Sequence, residues 1–175
     1  MLKSLLIAGA LALLAGPAAA EVVERSADGF TLRYARSIET SAGDVVLALE
    51  SIGAWWDGAH TYSGDASNLS IRLEPGACLC ERLADGTFFE HGRVILLDDD
   101  HLSLNAPLGP LKGRTSRADL TFSWPDANAA DVTVIMTFRV EGAGVGAWAD
   151  GVDAVMQGQY DRLMHYVEHG ETPGA

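Results

Sequence analysis

Residues 131–140 alternate with a period of two: Val132, Val134, Met136, Phe138 and Val140 share one face, and Asp131, Thr133, Thr137 and Arg139 share the other. This is the pattern of a strand with one buried and one wet face. Such a strand needs hydrogen-bonded neighbours and a second layer against its apolar side. The layer is also legible. Trp148, Val152, Val155, Tyr160, Leu163 and Val167 recur at helical spacing and form an apolar stripe, which ends at Gly170 and Pro173. The stripe predicts a helix of about six or seven turns at ~3.6 residues per turn.

The chain before this pair supplies the rest of a sheet. Residues 29–40 alternate as a first strand, and Ser41 or Asp44 caps a short helix carrying Val45, Val46, Leu49 and Ile52 before Gly53 interrupts it. Short apolar runs at 69–74, 77–83, 87–97, 101–106 and 117–124 are then separated by turn signals such as Pro75-Gly76, Asp85-Gly86 and Asp98-Asp99-Asp100. They read as antiparallel hairpins. Strand, short helix, several strands and a long C-terminal helix make an α+β fold in which the last helix covers the sheet. Gly142, Gly144 and Gly146 are expected to loosen the backbone before that helix. No internal repeat, low-complexity block or second-domain linker is evident.

The first twenty residues read as a secretory signal peptide: Lys3, an apolar run from Leu5 to Leu14, a Gly16-Pro17 break, then Ala18-Ala19-Ala20. The run is shorter than the ~18 apolar residues of a membrane span. Cleavage after Ala20 would leave one domain, 21–175, in the periplasm or outside the cell. The net charge of −12 argues against nucleic acid and anionic membrane surfaces as partners. Cys78 and Cys80 share one face of a strand, and in an extended chain their Cα atoms lie near the upper limit for a disulfide. An oxidising compartment favours the bond while extended geometry opposes it, and the expectation is two buried free thiols.

Chemistry-bearing side chains gather in two places. Asp57, His60 and Tyr62 sit in an irregular segment, 55–70, that begins with Trp55-Trp56; Glu90, His91 and Arg93 sit in the 87–97 strand. Histidine titrates near neutrality, and a buried glutamate does so when desolvation raises its pKa. Glu90 and His91, as strand neighbours, face opposite sides. If His91 points inward it brings Phe89, Arg93 and Ile95; the other register brings Phe88, Glu90, Gly92, Val94 and Leu96. Neither set is wholly apolar, so both registers stand. Cys-x-Cys with scattered histidines lacks the paired spacing of a structural zinc site, and no metal is expected. His165 and His169 are read as satisfying a helix C-terminus. Lys112-Gly113-Arg114 is a basic loop, with a lid over a cavity as its second reading. Nucleophile elbow, phosphate loop and His-Glu-x-x-His motif are all absent.

The segment from Trp56 to Glu81, with His60-Thr61-Tyr62-Ser63-Gly64-Asp65-Ala66, Pro75-Gly76 and Cys78-Leu79-Cys80-Glu81, resembles a secreted bacterial subgroup of the START-like (SRPBCC, polyketide cyclase/dehydrase-like) superfamily. The resemblance extends over nearly all of residues 28–169. It implies a helix-grip fold, a curved antiparallel sheet around a long C-terminal helix with a cavity between them. It also implies a cofactor-free protein that binds a small hydrophobic or amphipathic molecule, with no stable membrane anchor. Trp55, Trp56, Trp124, Phe138, Trp148 and Tyr160 would wall the cavity, and His60, Tyr62, His91 and Arg93 would supply polar groups. The alternatives are a cyclase or dehydratase in which His60, Glu90 or His91 moves a proton, and a ligand-free interaction or stress module with a filled core.

Overall fold

The computed structural model describes residues 21–128 and 130–171, so the leader-like segment and Pro173 lie outside the described residues. In chain order the elements are β1 (Glu21–Ser26), β2 (Gly29–Glu39), α1 (Ala42–Glu50), α2 (Ile52–Trp55), β3 (Leu69–Ser70), β4 (Cys78–Arg82), β5 (Phe88–Leu97), β6 (His101–Asn105), β7 (Arg117–Ser123), β8 (Asp131–Glu141) and α3 (Ala149–His169). The strands form one antiparallel, curved sheet in the order β1-β2-β8-β7-β6-β5-β4-β3, and α3 covers its buried face. This is the α+β helix-grip arrangement that the element order implied.

β8 lies between β2 and β7, and all five of its inward residues are buried. α3 sets Met156, Tyr160, Leu163 and Met164 against that face. The Tyr160 hydroxyl donates to the Val134 carbonyl at 2.7 Å, so the ring is buried without stranding its polar end. Burial pushes the Tyr160 phenol pKa well above its ordinary value. α1 opens on a capping box: the Ser41 hydroxyl accepts from the Asp44 amide, and the Asp44 carboxylate accepts from the Ser41 amide.

The sequence reading needs two corrections at the sheet edges. β1 exists although it has no clear alternation, because it pairs with the first part of β2, Gly29 to Arg33. The expected 69–74 strand shrinks to Leu69–Ser70, with Ile71 and Leu73 buried from irregular backbone.

Curvature comes from three register shifts. Val23 is the extra residue in β1 against β2, His91 is extra in β5 against β4, and Ile95 is extra in β5 against β6. Each bulge adds local twist and bends its strand.

The glycines ahead of α3 do the opposite of loosening. The amides of Gly142, Gly144 and Gly146 donate to Asp28 O (2.9 Å), Asp28 Oδ1 (2.8 Å) and Ala27 O (3.0 Å), docking the segment on the β1–β2 turn. A Cβ at Gly146 would lie 1.8 Å from the Ser26 carbonyl oxygen. Gly146→Ala is therefore expected to lower stability by about 1–3 kcal/mol, because the turn and the start of α3 must separate. Urea denaturation measures this, and an unchanged midpoint would show that the close approach is not required.

Candidate functional site

Above β5 the sheet and α3 diverge, and a cavity of about 720 Å³ opens between them. Its apolar wall is made by Val152, Val155 and Met156 of α3 together with Leu108, Pro110 and Leu111. The last three belong to the segment around a single 3₁₀ turn, Gly109–Leu111. The polar wall is made by His60, Thr61 and Tyr62 of the loop after α2 and by His91 of β5. A smaller space of about 30 Å³, bounded by Ile52, Leu69 and Leu79, shares Trp56, His60 and His91 with it.

The loop that forms the polar wall is held from three sides. Asp57 caps a 3₁₀ turn at Gly58–His60 by accepting from the Ala59 amide, and its own amide donates to the buried Gln159 Oε1 at 2.9 Å. Arg162 Nε donates to the Trp55 carbonyl at 2.7 Å. The third hold is Glu81, whose side chain has no solvent exposure. Its carboxylate accepts from the amides of Tyr62 (3.1 Å) and Ser63 and from His91 Nε2 (2.7 Å). Burial alone would raise the Glu81 pKa; the hydrogen bonds from Ser63, Tyr62 and His91 outweigh it and hold the carboxyl below the usual range.

Because a carboxylate only accepts, the shared proton of this pair sits on His91 Nε2. Nδ1 bonds no described residue, and among those residues no fully buried side-chain nitrogen or oxygen lacks a partner. Nδ1 is therefore not fully enclosed, and the ring that carries it lines the cavity. The ring is flanked by Tyr62, nearly parallel at 5.6 Å between centroids, and by Phe89, edge-on at 4.9 Å.

The two registers left open for this strand are both partly realised. The bulge at His91 makes consecutive residues 91 and 92 both face inward. Phe89 and His91 follow one phase, Gly92 and Val94 the other. Gly92 fits there because it has no side chain: a Cβ would meet Ala106 Cβ and Asn105 O at 2.8 Å.

Of the residues named from sequence, Trp56, His60, Tyr62, His91 and Trp148 line the cavity. The other five do not. Arg93 falls past the bulge onto the outer face, where it pairs with Glu90 and the Gly76 carbonyl. Trp55 is turned into the core, donating to Ala48 O at 2.7 Å. Trp124 is buried at the end of β7 with its indole on Asp99 O, and Phe138 of β8 and Tyr160 of α3 are buried between the sheet and the helix and do not line the cavity. His60 is half exposed, with Asp57 3.9 Å from its Nε2. Trp148 stands at the rim, and the Arg114 guanidinium lies 5.4 Å from its ring centroid. Sequence reasoning missed Glu81 as a site residue. The available signal was its phase, since it shares the inward face of β4 with Leu79, and a carboxylate there must be paired.

Cys78 and Cys80 are bonded to each other, which corrects the expectation of free thiols. Their Cα atoms are 5.3 Å apart, against the ~6.6 Å of two residues in a regular strand. β4 contracts where its partner bulges, between Leu79 and Cys80, and that brings the pair within bonding range. The bridge lies on the strand face opposite Glu81.

No family model and no curated protein matches the chain. Solved structures do. An uncharacterized protein from Rhizobium leguminosarum superposes with a TM-score of 0.57 at 18% identity, covering 83% of this chain and 99% of its own. CalU16 from Micromonospora echinospora gives 0.53 at 7% identity, covering 86% and 83%. The di-domain ARO/CYC BexL from the BE-7585A biosynthetic pathway gives 0.54 at 12% identity over 88% of this chain and 53% of that protein. The fold is shared. At these identities nothing beyond the helix-grip fold follows from the likeness.

Glu81→Ala leaves two loop amides and an imidazole N–H without their acceptor in a buried site. It is expected to cost about 3–5 kcal/mol at neutral pH. Because the folded-state pKa of Glu81 is lowered, its contribution is complete above the unfolded value of ~4.3 and is lost as pH falls through the lower folded value. Urea midpoints of the two proteins should therefore converge in acid. A wild-type midpoint matched by Glu81→Ala at neutral pH would contradict this role.

Proposed function

We propose that the chain is an exported START-like (SRPBCC) binding protein that holds a small apolar or amphipathic molecule between α3 and the sheet. The observation that carries this reading is the cavity of about 720 Å³ with an aliphatic wall on one side and His60, Thr61, Tyr62 and His91 on the other. Its size and its few grouped polar side chains are those of small-molecule sites. The apolar part of the ligand would lie on Val152, Val155 and Leu111, and a hydroxyl or carbonyl would face the histidines. The fold shared with BexL supports a small-molecule role. Export is supported by the leader-like first twenty residues and the Cys78–Cys80 bond, and it requires an exported form whose mass begins at Glu21. With a net charge of −12, neither nucleic acid nor an anionic membrane is proposed as a partner. Among the described residues no helix is long and apolar enough to cross a membrane.

Gly151 provides a clean test. It lines the cavity from the first turn of α3, and a Cβ there would meet nothing within 4 Å. Gly151→Phe should fill the mouth without a clash, while replacing glycine in a helix stabilises by a few tenths of a kcal/mol up to about 1. Binding of N-phenyl-1-naphthylamine, followed by its fluorescence, is expected to weaken at least tenfold with no fall in melting temperature. Equal binding by wild type and Gly151→Phe, or none by the folded wild type, would contradict the reading.

A further inference from the structure

We propose that His91 is a general base, positioned by Glu81, toward a largely apolar molecule that carries a weakly acidic proton and occupies the cavity. This rests on the binding reading above and adds a reaction to it.

Anchoring of the loop accounts for only part of this arrangement. A buried carboxylate at Glu81 accounts for the two amides of Tyr62 and Ser63. It does not require an imidazole as its third partner, since a neutral amide side chain at position 91 would donate to the carboxylate without being a base. The imidazole adds one thing that such a side chain lacks. With Nε2 committed to donating to Glu81, the neutral ring presents an acceptor lone pair at Nδ1 to a largely apolar space. When Nδ1 takes a proton, the carboxylate 2.7 Å from Nε2 stabilises the resulting imidazolium. Base, orienting group and room for a reactant are then all present, which is the geometry general-base chemistry requires.

Two cations stand outside the lining of the cavity: Lys112, whose Nζ donates to the Glu90 carbonyl and lies 4.2 Å from the Phe89 ring centroid, and Arg114, which stands over Trp148 at the rim. The groups facing His91 are Glu81 from β4 and Tyr62 from the loop, with His60 and its neighbour Asp57 elsewhere on the polar wall. The part of α3 that lines the cavity carries no titratable side chain: Gly151, Val152, Val155 and Met156.

A generic probe tests the step without knowing the natural molecule. In 5-nitrobenzisoxazole, the proton on the 3-carbon would pass to His91 Nδ1. The C–H electron pair completes a nitrile as the ring N–O bond breaks, and the N–O pair leaves on oxygen as the coloured 2-cyano-4-nitrophenolate. The proton then passes from His91 to water, and no oxidant or other co-reactant is needed. Wild type is expected to convert this probe about 100-fold or more faster than His91→Gln, whose amide still donates to Glu81 and keeps the loop anchored. The wild-type rate should rise with pH along one titration that His91→Gln lacks. Glu81→Gln, which removes the charge that favours the imidazolium, should lower kcat with little change in KM; if that variant does not fold, His91→Gln decides alone.

Equal rates in wild type and His91→Gln, or a pH profile that His91→Gln retains, would overturn the proposal. N-phenyl-1-naphthylamine binding, measured on the same samples, separates the two claims. Binding without conversion of the benzisoxazole overturns the base and leaves the binding reading intact. No binding by folded wild type overturns both.

Discussion

A charged carboxylate with no solvent exposure is the constraint around which this molecule is arranged. Glu81 has three donors in reach, and each belongs to a different part of the problem: two amides fold the loop after α2 back onto the sheet, and one imidazole is held at the cavity wall. Removing any donor leaves charge uncompensated where water cannot replace it. The irregular segment that begins at Trp55-Trp56 is therefore shaped less by its own turn propensities than by an acceptor eighteen or nineteen residues further along the chain.

Everything that makes the cavity follows from keeping sheet and helix apart at one end only. Toward its C-terminal half α3 lies directly on β8 and β2, and the Tyr34 and Tyr160 rings stack with centroids 5.5 Å apart. Toward its start the helix is pinned instead to the β1–β2 turn, through the glycines around Gly144 and through Arg25, which bonds both Gly146 O and Asp150. The bulges in β5 bend the sheet away beneath it. The wedge of space between these two attachments is what the loop around Gly109–Leu111 and the segment 56–62 close over.

Where local pattern and tertiary structure agree, the fold was legible from residues alone. β8 carries its alternation because it is paired on both sides, and α1 begins where the Ser41 capping box puts it. β5 was illegible for a physical reason: period-two reasoning presumes an unbroken ladder, and two bulges within ten residues reverse the phase at His91 and again at Ile95. The same local geometry hid the Cys78–Cys80 bond, because β4 is shortened opposite the bulge in its neighbour. At the site, aromatic residues were good markers only where they came from the loop or the helix start. Trp56, Tyr62 and Trp148 line the cavity, while Trp124, Phe138 and Tyr160 are ordinary core, a distinction that hydrophobicity does not encode. Glu81 was visible only as a polar residue in an apolar phase.

The tautomer of His91 tests the central claim most directly. Long-range proton–nitrogen correlation spectra of uniformly ¹⁵N-labelled protein report which ring nitrogen carries the proton in the neutral form. The expected result is an Nε2–H donating to Glu81 and a bare Nδ1 whose signal shifts when N-phenyl-1-naphthylamine enters the cavity. A proton on Nδ1 with Nε2 bare, or a His91 ring unmoved by bound probe, would contradict it.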